Sequence, residues 1–368
     1  MFSLIKNIEI YAPAYCGKKN ILIAGGKIYK IMPPGEPAGP SFWESETDCS
    51  GLYAFPGVID QHVHILGAGG EEGFASRVPE LMIGEIVQAG VTTLVGLLGA
   101  DDCSRSMEGL YAKAKALDQQ GLTTFIYSGS YAVPPITLTG SIKKDLVLVD
   151  KVIGAGEIAI SDHRSSQPDC RELMKLAADV HLGGLLSGKA GVVHLHVGDG
   201  KGGLSLLQEV LQSSDLPMEQ FVPTHVNRNP GLFESALQYC RQGGNIDLTA
   251  GESAGIGVPQ AIRRLVDEKA DLSRVTVSSD SNGSIPGGGV SKISALLDDI
   301  RKCILEFGIG PETAWALVSE NVAKILKLFP RKGVIREGSD ADIVVTDKNC
   351  QVKMLMAQGK VLFTDGQI

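Results

Sequence analysis

The sequence predicts an α/β protein: a (β/α)8 TIM barrel with a small β-sandwich domain formed by both termini. Three observations carry this expectation. Between residues 54 and 281, eight short apolar runs alternate with helix-like segments, the pattern of strand–helix units closing into a parallel barrel. Several of these runs stay apolar almost to their last residue, as strands buried on both faces do. The two chain ends alternate polar and apolar residues between turn signals, the pattern of antiparallel strands.

The eight barrel strands are expected at Ala54–Ile65, Thr92–Gly99, Thr123–Ser130, Glu157–Arg164, Val192–Asp199, Phe221–Asn227, Asn245–Gly251 and Val275–Ser281. Helical periodicity follows at Pro79–Ala89, Ser106–Gln119, Arg171–Leu182, Gly203–Leu211 and Leu232–Arg241. A doubly wound open sheet is the alternative, but no Gly-x-Gly-x-x-Gly follows the first strand to support it. At the ends, Ile5–Tyr11 and Ile21–Ile31 surround a Gly25-Gly26 turn, and Ala341–Thr346, Val352–Ala357 and Lys360–Thr364 read the same way. The expected division is therefore residues 1–52 with 333–368 as one small domain and 53–332 as the barrel.

Composition narrows the function. The chain has 368 residues, 43% hydrophobic, with a net charge of −8. A basic stripe for nucleic acid is absent. The apolar runs are strand-length, far short of a bilayer span. Charges interrupt Met1–Glu9 every few residues, unlike a secretory signal. Seven scattered cysteines without a Cys-x-x-Cys pair argue against a disulfide framework and a thiolate metal site, and fit a reducing cytoplasm.

The chemistry gathers at the strand ends, where barrels of this kind build their sites. His62 and His64 are two apart on one strand and share a face. A divalent metal gives such a pair a purpose, since neutral imidazole is a favoured ligand. Later strand ends carry Asp162-His163-Arg164, His194-Leu195-His196, Thr224-His225 and Ser279-Asp280, and six of the seven histidines fall there. Four histidines and two carboxylates suit two ions about 3.5–4 Å apart sharing a hydroxide. A carboxylate at the last strand end can take that proton and pass it to a leaving amine.

These residues resemble the amidohydrolase superfamily, through Pro56-Gly57-Val58-Ile59-Asp60-Gln61-His62-Val63-His64 and the segment Gly333–Val344. The resemblance extends to the isoaspartyl dipeptidase (β-aspartyl metallopeptidase) family. It is carried by His64–Glu71, Val95–Gly99, Ile160–Ser165, Pro223–Asn229 and Ser278–Ser284. It implies that His62, His64 and Asp280 hold the more buried metal and that His196 and His225 hold the other. It further implies that Asp280 is the acid/base and that Tyr131 donates to the scissile carbonyl oxygen. Glu71 would meet the substrate's α-amino group, and Arg164, Arg228 and Ser284 its carboxylates. The partner would be a small dipeptide, the cofactor a pair of divalent ions with zinc favoured by ligand type, and the assembly a homo-oligomer, an octamer by resemblance.

One position departs from the family, whose usual bridging ligand is a lysine carboxylated on its side-chain nitrogen. In register, Glu157 stands there, and Gly154-Ala155-Gly156 carries one extra residue. A carbamate and a carboxylate offer the same singly negative bidentate bridge. Glu is shorter, so a local bulge at Gly156 would have to bring the backbone closer. His194 is expected one layer deeper as a core residue rather than a ligand, His163 is not expected to ligate, and His181 is structural. Cys103 and Arg105 carry no assigned role. The competing activities are hydrolysis of another carboxylate-bearing N-acyl amino acid, cyclic amide or lactone, and, more remotely, a non-catalytic assembly role on the same scaffold.

Overall fold

A computed structural model describes residues 2–36, 43–285 and 289–366. The N-terminal strands are β1 (Phe2–Tyr11), β2 (Tyr15–Ala24), β3 (Lys27–Met32), β4 (Trp43–Asp48) and β5 (Tyr53–Pro56). The barrel follows with β6 (Val58–Val63), β7 (Val91–Gly96), β8 (Thr123–Ser128), β9 (Val152–Ile160), β10 (Val192–Val197), β11 (Phe221–Thr224), β12 (Ile246–Thr249) and β13 (Val275–Ser278). A two-strand ribbon, β14 (Ser284–Ile285) and β15 (Gly289–Val290), precedes the C-terminal strands β16 (Ile343–Thr346), β17 (Val352–Ala357) and β18 (Lys360–Thr364).

The terminal strands form one hydrogen-bonded path, β18-β17-β16-β5-β1-β2-β3, with β4 also on β1. Alternation drives it. Ile5, Ile8 and Ile10 of β1, Ile21 and Ile23 of β2, Ile343 and Val345 of β16 and Met354 and Met356 of β17 all turn into one separate core. The run expected as a single strand, Ala54–Ile65, is divided between the two domains. Its first part pairs with β16, the chain turns at Gly57, whose N–H donates to Asp342 O (2.8 Å), and the rest becomes β6. Continuous hydrophobicity hides the break because both halves are buried.

In the barrel, β6 to β11 run side by side and parallel, and β12 pairs with β13. Val226 N–H donating to Asp247 O (3.4 Å) and His64 N–H donating to Ser281 O (2.9 Å) join the two sheets. Three of the outer helices begin at side-chain caps that satisfy free N–H groups: Ser106 at Gly109, Asp169 at Glu172 and Asn229 at Leu232. Among the described residues, no helix is long and apolar enough to cross a membrane.

The barrel interior is layered. Ile59, Val95, Leu97, Tyr127, Val192 and Val222 pack on Val322, Ala323 and Leu326, an apolar floor closed by the helix Glu320–Ile325. A buried polar layer includes the Asp247 carboxylate, which accepts from Gln61 Nε2 (2.8 Å), Thr224 Oγ1 (2.7 Å), Thr276 Oγ1 (2.6 Å) and Ser278 Oγ (2.5 Å). The expected fourth strand, Glu157–Arg164, is displaced: β9 runs Val152–Ile160, so Glu157 lies inside it and Asp162–Arg164 beyond it. Gly154 and Gly156 read as loop, yet the segment pairs with strands on both sides, which overrides their weak strand preference.

Candidate metal centre

The site lies at the C-terminal mouth of the strands. His62 comes from β6 and His64 from the residue after it. His225 follows β11 and Asp280 follows β13, both with left-handed backbones (φ 63° and 52°). Non-glycine residues pay for that conformation, a cost typical of functional positions. Glu157 reaches the site through a bulge. Ala155 pairs with Val193 and Ile158 with Leu195, so Gly156 and Glu157 together face His194. The Gly156–Glu157 peptide is cis. A Cβ on Gly156 would come within 2.9 Å of the His194 Cβ, so only glycine fits.

The donor atoms converge. Asp280 Oδ1 is 3.1 Å from His64 Nε2 and 3.3 Å from His62 Nε2. Glu157 lies 3.4 Å from both rings, 2.9 Å from His196 Nδ1 and 3.6 Å from His225 Nε2. Among the described residues, two overlapping groups that share His62, His62–His64–Asp280 and His62–Glu157–His225, each bring three ligand atoms close enough to hold a metal ion. The buried atoms His62 Nε2, Glu157 Oε1 and Asp280 Oδ1 have no hydrogen-bond partner. Unpartnered buried lone pairs facing one another are costly, and divalent cations fit them. His196 stands beside both groups rather than within either, with Nδ1 toward Glu157 and Nε2 held by Asp162 Oδ2 (2.9 Å).

The electrostatics agree with a cation. Burial would raise the Glu157 carboxyl, but His62, His196 and His225 outweigh it and hold it well below the usual range. Asp280 is likewise lowered, burial being overcome by His62 and His64. Burial, with Arg228 nearby, pushes His225 down to about 3. Burial also opposes charge on His62, yet Glu157 and Asp280 raise it to about 9. A metal must displace that proton. Tyr131 is pushed well above its ordinary value, chiefly by burial, so it remains a donor at neutral pH. Its hydroxyl is 3.0 Å from His196 Nδ1.

At the rim, Glu71 Oε1 is 3.3 Å from Arg164 Nη1 and accepts from Ser284 Oγ (3.1 Å). Arg228 Nη1 lies 3.4 Å from His196 Nε2. His163 is exposed (side chain 91%), 3.6 Å from Asp162 Oδ1, and belongs to neither ligand group.

A sequence profile of the amidohydrolase family matches residues 53–362. A β-aspartyl dipeptidase from Fervidobacterium islandicum AW-1 is 42% identical, covering 100% of this chain and 98% of that one, with a TM-score of 0.94. The chain belongs to the amidohydrolase family, within its β-aspartyl dipeptidase branch. The Fervidobacterium enzyme has also been crystallised with the dipeptide β-Asp-Leu, in a structure 43% identical with the same TM-score and coverage. An imidazolonepropionase from Salmonella schwarzengrund (strain CVM19633) is 29% identical over 143 residues, 37% of this chain; the match spans 34% of that relative's length.

In this amidohydrolase His194 is a buried, hydrogen-bonded core residue, as the sequence leads one to expect, while the parts played by Thr249 and Asp162 escape a reading of the sequence. His194 Nε2 is 2.8 Å from His62 Nδ1, and its ring stacks on Tyr127. Thr249 Oγ1 holds His225 Nδ1 (2.7 Å). Asp162 accepts from Arg164 Nε (3.0 Å) and Nη2 (2.8 Å) while meeting His196. Such partners fix which ring nitrogen is free for a metal. Only the spacing of Asp162 and Arg164, two apart, hinted at one of them. Gly283 has a similar supporting role. A Cβ there would sit 2.4 Å from Asp280 Oδ1, so Gly283→Ala is expected to displace the carboxylate. Metal affinity should fall by about 10–100-fold, measured by chelator competition; unchanged affinity would show that Asp280 does not depend on this contact.

Proposed function

We propose that the protein is a zinc-dependent β-aspartyl (isoaspartyl) dipeptidase, and the observation that carries this is the set of facing, unpartnered donor atoms on His62, Glu157 and Asp280 beneath a rim bearing Glu71, Arg164 and Ser284. The full-length likeness to an enzyme crystallised with β-Asp-Leu supports it. His62, His64 and Asp280 would hold one ion and His196 and His225 a second, with Glu157 between them. Zinc suits nitrogen and carboxylate donors. When bound, the ions supply acidification of water and polarisation of the scissile carbonyl.

The chain's own residues do the rest. Asp280 accepts the proton of the attacking water and delivers it to the leaving amine nitrogen. Tyr131 donates its O–H to the carbonyl oxygen as negative charge develops there. Glu71 pairs with the free α-amino group, and Ser284 already lies on the same carboxylate oxygen. Arg164 and Arg228 bind the substrate's carboxylates, for which the guanidinium fork is suited. Asp162 keeps Arg164 aimed while donation from His196 Nε2–H leaves His196 Nδ1 toward Glu157. A cytoplasmic, homo-oligomeric enzyme completes this reading, and none of the seven cysteines is paired.

The test is hydrolysis of β-Asp-Leu against α-Asp-Leu and N-acetyl-aspartate by zinc-loaded protein. Selective cleavage of β-Asp-Leu is expected, lost on chelation and restored by zinc, with metal content followed by elemental analysis. Turnover that survives complete chelation would sink the metal reading. Two bound ions without cleavage would move the substrate elsewhere.

A further inference from the structure

Arg105, to which neither the sequence pattern nor the mechanism gives a part, lies in the loop between β7 and the helix Met107–Gln119. It is 7% exposed, unusual for arginine unless every donor is matched. Nε donates to Leu66 O (3.3 Å), Nη1 to Gly69 O (3.3 Å) and Asp101 Oδ2 (2.7 Å), and Nη2 to Ala68 O (2.7 Å) and Val78 O (3.2 Å). All five N–H donors are used. Four of the acceptors are backbone carbonyls from the two ends of one loop, the loop that leaves His64 and carries Glu71. Asp101 also pairs with Arg77 at the far end of that loop (2.8 Å). The two ends of the loop also meet each other through Val78 N–H donating to Ala68 O (2.8 Å), and Ala68 N–H donates to Asn282 O (3.0 Å), but the middle is open: residues 70 to 75 are intermediate or exposed, and its short helical turn is Phe74–Ser76.

We infer that Arg105 is a positioning residue for substrate recognition. It gathers the carbonyls of the 66–78 loop so that Glu71 is presented to the substrate's amino group. The inference rests on the role given to Glu71 above. Lysine cannot replace arginine here, because a compact ammonium has three donors at one point and cannot span carbonyls on two strands of a loop.

The experiment is a double-mutant cycle on the zinc-loaded full chain, with β-Asp-Leu as substrate. Arg105→Lys is expected to lower kcat/KM by about tenfold or more, carried mainly by KM. In a Glu71→Gln background the same change should cost less than about twofold. Equal losses in both backgrounds, or no loss in either, would overturn the inference, since a merely structural role adds in full. Hydrogen exchange of residues 66–78 in Arg105→Lys gives a readout independent of turnover. Faster exchange confined to that loop is expected, and unchanged exchange there overturns the inference. If Arg105→Lys fails to fold, Asp101→Asn, which loosens the same anchor, is put through the same cycle. Wild-type protein that does not cleave β-Asp-Leu would sink the dipeptidase reading, while the exchange measurement still decides whether Arg105 holds the loop.

Discussion

Asp280→Asn is expected to lower kcat on β-Asp-Leu by at least about 10³-fold. The substitution keeps the shape of the side chain and removes its charge and its ability to carry a proton. Two separate functions depend on that oxygen. Oδ1 lies 3.1 and 3.3 Å from the two imidazoles of the first metal group, so it is placed as a ligand. It is buried without a hydrogen-bond partner, although the residue keeps 16% of its side-chain surface open toward the mouth, so it is also placed to meet a water. Measuring ion content beside turnover separates the two. A variant that keeps its metals and loses turnover has lost the proton acceptor. One that loses metals and turnover together has lost a ligand. Retention of more than about a tenth of the activity with metals bound would remove Asp280 from both roles.

The strand-end location of these groups is legible in the sequence because barrel sites are built from residues at strand termini. Five of the six histidines at such positions are buried together at or just below one mouth, His163 alone being exposed, and a metal is what lets so many imidazoles share it. Periodicity places the helices well for a related reason: caps such as Ser106 and Asn229 mark where a helix starts. The fourth strand begins five residues before its expected start because two glycines in it mimic a loop. Their use is tertiary, since Gly156 is required by the approach of His194. Ala54–Ile65 reads as one strand because burial in two different cores looks the same along the chain. Partners such as His194 on His62, 132 residues apart, or Arg105 on four carbonyls, have no spacing rule. A hydrogen bond to a backbone oxygen leaves no trace in the identity of the residue that provides it.

Glu157→Gln is the sharpest test of how this chain departs from relatives that use a carboxylated lysine. Glu157 is 1% exposed and touches all four imidazoles of the site within 3.6 Å. It and Asp280 are the two carboxylates within the candidate metal groups, while Asp162 meets His196 from outside them. The amide has the same size but no charge, so a cation held between the two groups loses half of its anionic support. At least one ion per chain should be lost, and turnover should fall by about 10²-fold or more, since even outer-shell losses reach that scale. Glu157→Asp keeps the charge but withdraws it by one methylene; it should retain more metal than Glu157→Gln if charge dominates and no more if reach does. No lysine stands ready to take over. Lys151, at the opposite end of β9, donates to Thr124 O (3.0 Å) and pairs with Asp118, so an intact mass free of an added carboxyl group is expected. Full retention of both ions by Glu157→Gln, or a carboxylated lysine in that mass spectrum, would show that the bridge is made by another residue and that the bulge at Gly156 serves packing alone.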